Sequence, residues 1–516
     1  MTIAEILARN ARMYPKDVAL IELKPSSNTR KEITWQEFDE RANRIAKALT
    51  DMGVKKGDKV IHLMMNSINW LEAYFGIIRT GAWAVPLNFR FTSQDIKYCA
   101  DIAEAKVMIL GEEFIDRVEP ILSQMATIES FVFTGQDTPP GMIHLEDIIR
   151  GASSQPVDTM LNDEDICGLY FSSGTTGEPK PILLTHKNME SAAITENRHH
   201  LQEHEDNFIL LPPLYHCGAK MHWFGNLIVG SRATILTEIK PEYIFDAVSR
   251  ERGTIVWLLV PWAHDILEAL DRGELNIDDY NLACWRLMHI GAQPVPTSLV
   301  KRWKQYFPSM QYDENYGLSE ATGPGSVHLG IGNERKLGAT GKAGFNWEVR
   351  VVNESGENVA TGEIGELIIK GDGIMKGYYK NPELTARTIR DGWLYTGDMA
   401  RVDDEGFCYV TDRKKDVIIT GGENIYPVEI EEILQNHPMI FDVAVIGIPD
   451  ERLGEIAAAV IEPKADTHLT EEEVHQYCEQ HLPRYKRPRR VIFDKVPRNP
   501  TGKIEKPKLR QKYANP

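Results

Sequence analysis

The spacing of apolar residues predicts alternating helices and strands in the first 160 residues of the chain. Apolar residues recur every three or four positions over 35–52, which predicts an amphipathic helix. A second helix is predicted over 70–80 and ends at Gly81. Shorter apolar runs have the length of strands: 60–64, 82–87 and 105–110. This alternation is typical of wound β/α units.

The same texture continues over 181–325 and then changes twice. Strands are predicted at 207–211, 233–236, 255–260 and 287–290, which favours parallel sheets with helices on both faces and a ligand at the strand C-termini. Glycines separate short strands over 336–409, a pattern typical of a small antiparallel β unit. After 412–415 a strand, helix, strand, strand, helix pattern predicts a separate α+β domain.

We therefore predict an α/β fold with two domains. Residues 1–413 form a large N-terminal domain of wound β/α sheets plus the small β unit, and 414–516 form a smaller α+β C-terminal domain. A chain of 516 residues is too long for a single core, which agrees with this division.

Charge and cysteine content exclude several classes of protein. A formal net charge of -17 argues against a generalised nucleic-acid surface. The six cysteines stand far apart without a CxxC pair, which argues against a zinc ribbon or a redox motif and suits a reducing compartment. The N-terminus has no signal-peptide pattern, and no apolar run is long enough for a transmembrane segment. We expect a soluble, cytoplasmic protein.

A loop rich in hydroxyl groups and glycine follows a predicted buried strand at 166–171. Glycines allow the backbone to approach a ligand closely, and the hydroxyls and a lysine supply donors to phosphate oxygens. The loop lacks the ending of a Walker A motif, and a polar surface turn is the alternative interpretation. Its candidate phosphate-binding residues are Ser172, Ser173, Gly174, Thr175, Thr176, Gly177 and Lys180.

Further sequence blocks follow this loop in a fixed order. They are Pro-Pro-Leu-Tyr-His at 212–216, Gly-Ala-Gln-Pro at 291–294, Tyr-Gly-Leu-Ser-Glu at 316–320, Gly-Glu-Ile-Gly-Glu-Leu at 362–367, Tyr-Thr-Gly-Asp at 395–398, Asp-Arg-Lys-Lys-Asp at 412–416 and Pro-Thr-Gly-Lys-Ile at 500–504. Together they resemble the acyl-adenylate-forming superfamily of acyl-CoA synthetases, carrier-protein adenylation domains and firefly luciferases, and the likeness covers essentially the whole chain. The resemblance implies that ATP and a carboxylic acid form an acyl-AMP and pyrophosphate, after which a thiol displaces AMP.

The resemblance assigns catalytic roles near the phosphates. It implies that the loop, with Thr175 and Thr176 foremost, holds the β- and γ-phosphates of ATP. Glu320 would ligate Mg²⁺, which prefers hard carboxylate oxygens. Ser319, where most relatives carry threonine, would donate to the α-phosphate. Lys503 corresponds to the adenylation lysine, which neutralises charge on the α-phosphate and the acyl carboxylate.

The resemblance also implies where the nucleoside and CoA bind. Asp398 and Arg413 would hold the ribose hydroxyls, since an ionised carboxylate accepts hydrogen bonds from a diol. The C-terminal domain would be mobile about a hinge at Lys415 and would present different faces in the two half-reactions. Adenine would be framed by Gly291, Ala292, Gln293, Tyr316 and Gly317, and the pantetheine tunnel would be lined by Gly421, Gly422 and Glu423.

The acyl pocket is predicted at His216, Trp223, Trp262, Gly317 and Leu318. Gly317 stands where acetate-specific relatives place a tryptophan, so the pocket is expected to be deeper than acetate requires. Medium-chain, branched, alicyclic and aromatic acids are all possible substrates. By resemblance to aryl-CoA ligases, His216 favours an aryl or cyclic acid.

Two local features depart from the expected pattern or invite another interpretation. Pro181 replaces the usual glycine after Lys180, which removes a backbone N–H and stiffens the end of the loop. Cys217 beside His216 invites a Cys-His nucleophile, but adjacent side chains rarely meet.

The leading hypothesis is an AMP-forming acid:CoA ligase that uses ATP, CoA and Mg²⁺, as a monomer or homodimer. One alternative is a stand-alone enzyme that adenylates an acid and loads it onto a carrier-protein phosphopantetheine. A degenerate nucleotide-binding regulatory protein is the alternative from a different class.

Overall fold

The computed structural model describes residues 1–172, 179–421, 423–465, 467–498 and 503–514. Within these ranges the N-terminal part contains a nine-stranded sheet whose central pairings are parallel and whose pairings at both ends are antiparallel. Its order is Lys342–Ala343, Gly323–His328, Gln311–Leu318, Leu287–Gly291, Ile255–Leu259, Asn207–Leu210, Arg232–Leu236, Val18–Lys24 and Thr29–Thr34.

A second sheet of eight strands carries the ends of the hydroxyl-rich loop. Its pairings are parallel except at the end where two hairpin-like pairs join Ile166–Ser172 to Lys180–Thr185 and then to Gly377–Tyr378. Its order is Gly377–Tyr378, Lys180–Thr185, Ile166–Ser172, Trp83–Pro86, Lys59–Leu63, Val107–Leu110, Ser130–Phe133 and Ile143–His144.

Helices cover the sheets and fill the space between them. The largest hydrophobic core contains residues of both sheets together with residues of four long helices, including the fully buried Trp35, Trp70 and Trp223. The helices of the N-terminal part are Ile3–Met13, Trp35–Asp51, Ile68–Arg79, Ser93–Ala103, Ile115–Val118, Leu145–Ile149, His186–His200, Cys217–Val229, Pro241–Glu251, Val260–Asp271, Thr297–Tyr306 and Pro382–Thr388.

Local capping explains where these helices begin. The Thr34 side chain accepts from the backbone N–H of Glu37, and the Glu37 carboxylate accepts from the Thr34 N–H, so a capping box starts Trp35–Asp51. The helix predicted at 70–80 begins earlier, at Ile68, because Ser67 caps it through the N–H of Trp70. The predicted helix positions are therefore confirmed with shifts of one or two residues.

An antiparallel unit follows, as predicted for 336–409. Its strands run in the order Trp347–Val352, Gly365–Gly371, Trp393–Val402 and Ile389–Arg390, and Cys408–Arg413 pairs with Trp393–Val402. The C-terminal part has its own cores on the two faces of a sheet. Its strands are Ile418–Thr420, Glu423–Ile425, Ile440–Asp450, Gly454–Pro463 and Arg490–Phe493, and its helices are Pro427–Gln435, Glu471–His481 and Lys506–Tyr513.

The predicted fold class is confirmed: a large α/β part precedes a smaller part built on a sheet. All six cysteines lie within the described ranges and are free thiols, five of them buried. No helix among the described residues has the length and apolar character needed to cross a membrane.

Candidate active site

The two ends of the hydroxyl-rich loop are held opposite each other. In the antiparallel pair of Ile166–Ser172 with Lys180–Thr185, Ser172 lies across from Lys180 and Phe171 across from Pro181. The Pro181 carbonyl accepts a hydrogen bond from the backbone N–H of Tyr379 at 2.8 Å. The predicted phosphate-binding residues Ser173, Gly174, Thr175, Thr176 and Gly177 lie outside the described residues.

Glu320 lies on a single helical turn, Ser319–Ala321, directly after the strand Gln311–Leu318. The Tyr378 hydroxyl donates to Glu320 Oε1 at 2.8 Å, and the Met375 N–H donates to the Glu320 carbonyl at 2.8 Å. These contacts orient a half-buried carboxylate beside the strand that follows the loop. One oriented carboxylate is what Mg²⁺ takes from protein when phosphate oxygens complete its shell, so this residue fits the ion.

Asp398 is the centre of a small polar network. Arg413 Nε lies 2.7 Å from Asp398 Oδ1, and the Tyr316 hydroxyl donates to Asp398 Oδ2. The antiparallel register of Trp393–Val402 with Cys408–Arg413 puts Asp398 directly opposite Arg413. The structure therefore brings the two predicted ribose residues together and adds Tyr316, which was predicted at the adenine, as their partner.

The parallel strand Leu287–Gly291 ends at Gly291, and Ala292 and Gln293 come directly after it. A ligand site is expected at this end of a strand in such a sheet. Ala292 has a φ of 70°, so the backbone turns sharply here. Gln293 Oε1 accepts from Arg498 Nη1 at 3.1 Å, and Arg498 also pairs with Asp442 at 2.7 Å. Sequence reasoning missed Arg498, which connects the C-terminal part to the predicted adenine edge.

Lys503 of the C-terminal part faces this site. Desolvation and the nearby Arg413 guanidinium lower the pKa of the Lys503 amine, while Asp398 and Glu320 act in the opposite direction. These charges act on Lys503 across the site, which puts its amine within electrostatic range of the residues predicted to hold ribose and Mg²⁺.

His216 begins the helix Cys217–Val229 and caps it, because its Nδ1 accepts the Gly218 N–H at 3.2 Å. Burial lowers the pKa of His216 to about 3, with Lys503 and Lys220 contributing, so the imidazole is neutral at physiological pH. Its neighbour Cys217 is buried and the pKa of its thiol is raised by burial. A neutral imidazole and a protonated thiol do not make a Cys-His nucleophile pair.

The other predicted acyl-pocket residues occupy different environments. Trp262 and Leu318 are half-buried at the edges of the hydrophobic cores. Trp223 is fully buried against Phe75 and Phe224 in the core between the sheets. A Cβ at Gly317 would lie 2.1 Å from the Gly323 carbonyl oxygen, so this glycine permits close backbone packing.

The predicted hinge and CoA-tunnel residues lie after the strand Cys408–Arg413. Lys415 is exposed within a turn whose ends are tied by the Lys414 N–H to the Gly397 carbonyl and by the Asp416 N–H to the Arg413 carbonyl. Gly421 has a φ of 58°, Glu423 is exposed, and Gly422 lies outside the described residues.

Asp412, another residue whose role sequence reasoning did not foresee, couples the two parts of the chain. It is buried, and its Oδ2 accepts the N–H of Val428 in the first turn of Pro427–Gln435 at 2.9 Å. Burial raises the pKa of Asp412 to about 6. The contact joins the first turn of Pro427–Gln435 to the strand that carries Arg413.

Lys220, one turn after His216, is a fully buried amine. Its Nζ lies 4.3, 5.4 and 5.8 Å from the ring centroids of Tyr170, Tyr74 and Trp70 and 3.4 Å from the Leu214 carbonyl oxygen. Aromatic rings and one carbonyl without a carboxylate compensate a buried ammonium only in part. Burial lowers the pKa of Lys220 to about 7.

The substitution Lys220→Met is expected to raise the apparent Tm by at least about 2 °C at pH 7 or below. In the unfolded chain the amine keeps its proton up to its ordinary pKa of 10.5, whereas in the fold it loses the proton near 7. Between these values the unfolded state binds more protons, so wild-type stability rises with pH and the advantage of the variant shrinks. Thermal denaturation between pH 6 and pH 9 measures this; a variant that is less stable at every pH would refute it, and Lys508→Met, at an exposed position, is the control.

Comparisons with known proteins identify the family of the chain. The profile of AMP-binding enzymes matches residues 7–379, and that of the AMP-binding enzyme C-terminal domain matches 429–503. The long-chain-fatty-acid–CoA ligase FadD13 of Mycobacterium tuberculosis is 32% identical over 99% of this chain and 98% of its own length. The feruloyl-CoA synthase of an Amycolatopsis species is 32% identical over 98% of each chain.

Solved structures of ligand-bound enzymes superpose on the whole chain. The anthranilate CoA ligase AuaEII in complex with anthranoyl-AMP has a TM-score of 0.89 and 26% identity, covering 99% of this chain and 97% of its own. ATP-bound MatB from Rhodopseudomonas palustris has a TM-score of 0.89 and 27% identity, and the match covers 100% of this chain and 99% of the MatB chain. The chain therefore belongs to the AMP-binding enzyme family, and within it to the AMP-forming acyl-CoA and aryl-CoA ligases.

Proposed function

We propose that this ligase activates a compact carboxylic acid, aromatic, alicyclic or short and branched, as its acyl-AMP and then transfers the acyl group to CoA. The observation that carries the proposal is the convergence of Asp398, Arg413, Glu320 and Lys503 from different parts of the chain on one place. Such a set of cations and carboxylates suits the binding of a nucleotide and the stabilisation of charge on phosphates.

Each residue has a role that its environment supports. Asp398 accepts hydrogen bonds from the ribose hydroxyls, and Arg413 and Tyr316 orient its carboxylate. Lys503 places a cation beside the α-phosphate and the acid's carboxylate, where negative charge accumulates during adenylation. Glu320, oriented by Tyr378, holds Mg²⁺, which when bound neutralises phosphate charge. Ser319 and Lys180 complete the phosphate contacts.

The adenine and CoA assignments follow the same logic. The backbone turn at Ala292 and the end of its strand form the adenine edge, with Gln293 and Gly317 beside it. Lys415 is the hinge between residues 1–413 and 414–516. Rotation there replaces Lys503 at the site with the segment that contains Gly421 and Glu423, which then guides the pantetheine thiol.

The preference for a compact acid rests on the closed core behind His216. A long acyl chain needs a continuous apolar channel, yet Trp223 and Phe224 on the helix after His216 are fully buried against Phe75. The neutral His216 offers a hydrogen-bonding group rather than a charge at the mouth of the pocket. Half-buried Trp262 and Leu318 supply flat or short apolar contacts suited to a ring.

A panel of acids tests the proposal. The panel contains C2 to C12 straight-chain acids, benzoate, cyclohexane carboxylate and hydroxycinnamates, and the readout is AMP formed in the presence of ATP, Mg²⁺ and CoA. The highest kcat/KM is expected for a ring acid, because each misplaced methylene costs about 1–3 kcal/mol. A maximum at the longest acids would contradict the compact pocket, and AMP release that requires a carrier protein instead of CoA would contradict the thiol acceptor.

A further inference from the structure

A group of buried histidines and carboxylates lies between the nine-stranded sheet and the two helices packed on it. This group does not include the carboxylate assigned to Mg²⁺. We call it the histidine cluster. Each member is at most 2% exposed. Its members come from His186–His200, Cys217–Val229, Leu287–Gly291, Gln311–Leu318 and Gly323–His328, and they are Glu196, His200, His222, His289, Asp313 and His328.

Asp313 Oδ2 is the geometric centre of the cluster. It lies 3.0 Å from His328 Nδ1, 3.1 Å from His200 Nε2 and 3.9 Å from His289 Nδ1. His200 Nε2 and His289 Nδ1 are 3.2 Å apart. The ligand atoms of His200, Asp313 and His328 all lie within 4.8 Å of one another. Ligand atoms about 2.0–2.1 Å from a tetrahedral zinc ion are roughly 3.3 Å apart. The spacings of 3.0, 3.1 and 3.2 Å are close to this value, and the 3.9 Å between His289 Nδ1 and Asp313 Oδ2 is longer.

The carboxylate of Asp313 is oriented for ligation. Its Oδ1 accepts the backbone N–H groups of Glu314 and Gly330, each at 2.9 Å, so Oδ2 is turned towards the histidines. The far nitrogen of His328 faces Glu196 Oε1 at 3.4 Å. A metal-binding histidine ordinarily points its other nitrogen at a carboxylate in this way, which fixes its tautomer.

Other polar atoms of the cluster are buried without a hydrogen-bond partner in the described part of the chain. They include Glu196 Oε2, His289 Nε2 and both ring nitrogens of His222. Such atoms are rare in protein interiors because each costs about 1–3 kcal/mol. Glu196 and Asp313 also place two carboxylates among the histidines in a space closed to water, where protonated imidazole or a bound cation has to balance their charge. A divalent cation does so at one point.

We propose that His200, Asp313 and His328, with His289 as the fourth ligand, bind a structural divalent transition-metal ion. Three imidazole nitrogens and one carboxylate oxygen form a ligand set that suits zinc. The ion joins the end of the helix His186–His200 to three neighbouring strands. Two of those strands carry Gly291 and Tyr316 of the nucleotide site at their C-terminal ends, so the metal braces the strands that bind AMP.

The test begins with the native protein, because an ion enclosed by residues this deeply buried exchanges slowly. Protein purified in metal-free buffer after passage over a chelating column is analysed by inductively coupled plasma mass spectrometry, and about one zinc per chain is expected. The protein is then unfolded with guanidinium and EDTA and refolded with Zn²⁺, with Co²⁺ or without metal. We expect a higher Tm with either ion and visible tetrahedral d–d bands with Co²⁺.

Matched variants locate the ion. Asp313→Asn and His328→Gln keep side-chain size and are expected to lower metal content at least about tenfold, whereas His475→Gln, at an exposed histidine of Glu471–His481, keeps it. The refolding and cobalt measurements on the wild type decide the matter if a variant fails to fold. The proposal would be overturned if the native protein held less than about 0.1 metal ion per chain and its Tm after refolding were the same with and without Zn²⁺ or Co²⁺. Full metal content in both folded variants would also overturn it.

Discussion

Replacing Lys503 with alanine is expected to slow acyl-AMP formation about a hundredfold to a thousandfold. The charges of Arg413, Asp398 and Glu320 act on the Lys503 amine, which is therefore within electrostatic range of the predicted ribose and Mg²⁺ residues. Loss of one preorganised donor of this kind costs about 3–4 kcal/mol of transition-state stabilisation. The rate is measured in single turnovers as acyl-AMP formed from ATP and the acid.

The second half-reaction separates this role from a general loss of structure. Thioester formation from supplied acyl-AMP and CoA is expected to fall much less in Lys503→Ala, because the proposed rotation of the C-terminal part takes the lysine out of the site in that step. Lys508→Ala removes an exposed lysine of the same segment, paired with Glu505, and is expected to leave both rates unchanged. Equal losses in the two half-reactions of Lys503→Ala would contradict the assignment.

The substitution Lys415→Pro is expected to slow thioester formation on the order of a hundredfold while adenylation stays within a few-fold of wild type. Proline fixes φ at its own position and restricts the preceding residue, so it opposes rotation at the proposed hinge. The present orientation, with Lys503 near Asp398 and Asp412 bonded to the Val428 N–H, is the one that the variant retains. Both half-reactions are measured separately, as for Lys503.

The control for this variant keeps the backbone free. Lys415→Ala removes the same side chain but allows the same φ and ψ values, so it is expected to support both half-reactions at near wild-type rates. If Lys415→Pro leaves both rates unchanged, the hinge does not lie at this residue. If Lys415→Ala matches Lys415→Pro, the side chain rather than the backbone rotation is responsible.

Much of the fold could be predicted from local patterns. The helix Trp35–Asp51 and the strands Val107–Leu110 and Ile255–Leu259 follow from hydrophobic spacing that matches their burial. The order in which strands pair in the sheets could not be predicted from hydrophobic spacing. Lys180–Thr185 folds back antiparallel on Ile166–Ser172 and pairs with the distant Gly377–Tyr378, and such long-range pairings depend on tertiary packing.

Single motifs were enough to name individual candidate residues of the site, but not their contacts. Asp398 and Arg413 come from separate motifs, and the register of two antiparallel strands brings them together. Arg498 could not be predicted, because its contact with Gln293 depends on how the C-terminal part is oriented. Trp223 looked suitable for a pocket by its position, but packing against Phe75 and Phe224 buries it completely.

The histidine cluster had no signal in the sequence. Its members span Glu196 to His328 and lack the short spacing typical of zinc motifs, so only the packing of two helices against three strands reveals them. The role of Asp412 also had no signal in the sequence, because its hydrogen bond to the first turn of Pro427–Gln435 depends on tertiary packing.

Acid-dependent exchange of labelled pyrophosphate into ATP tests the central claim most directly. The reaction is run with Mg²⁺ and the preferred acid but without CoA, so only reversible acyl-AMP formation returns label to ATP. The account predicts exchange that requires the acid and that falls about a hundredfold or more in Lys503→Ala. Absence of exchange with every acid of the panel, or exchange that does not depend on an acid, would contradict it.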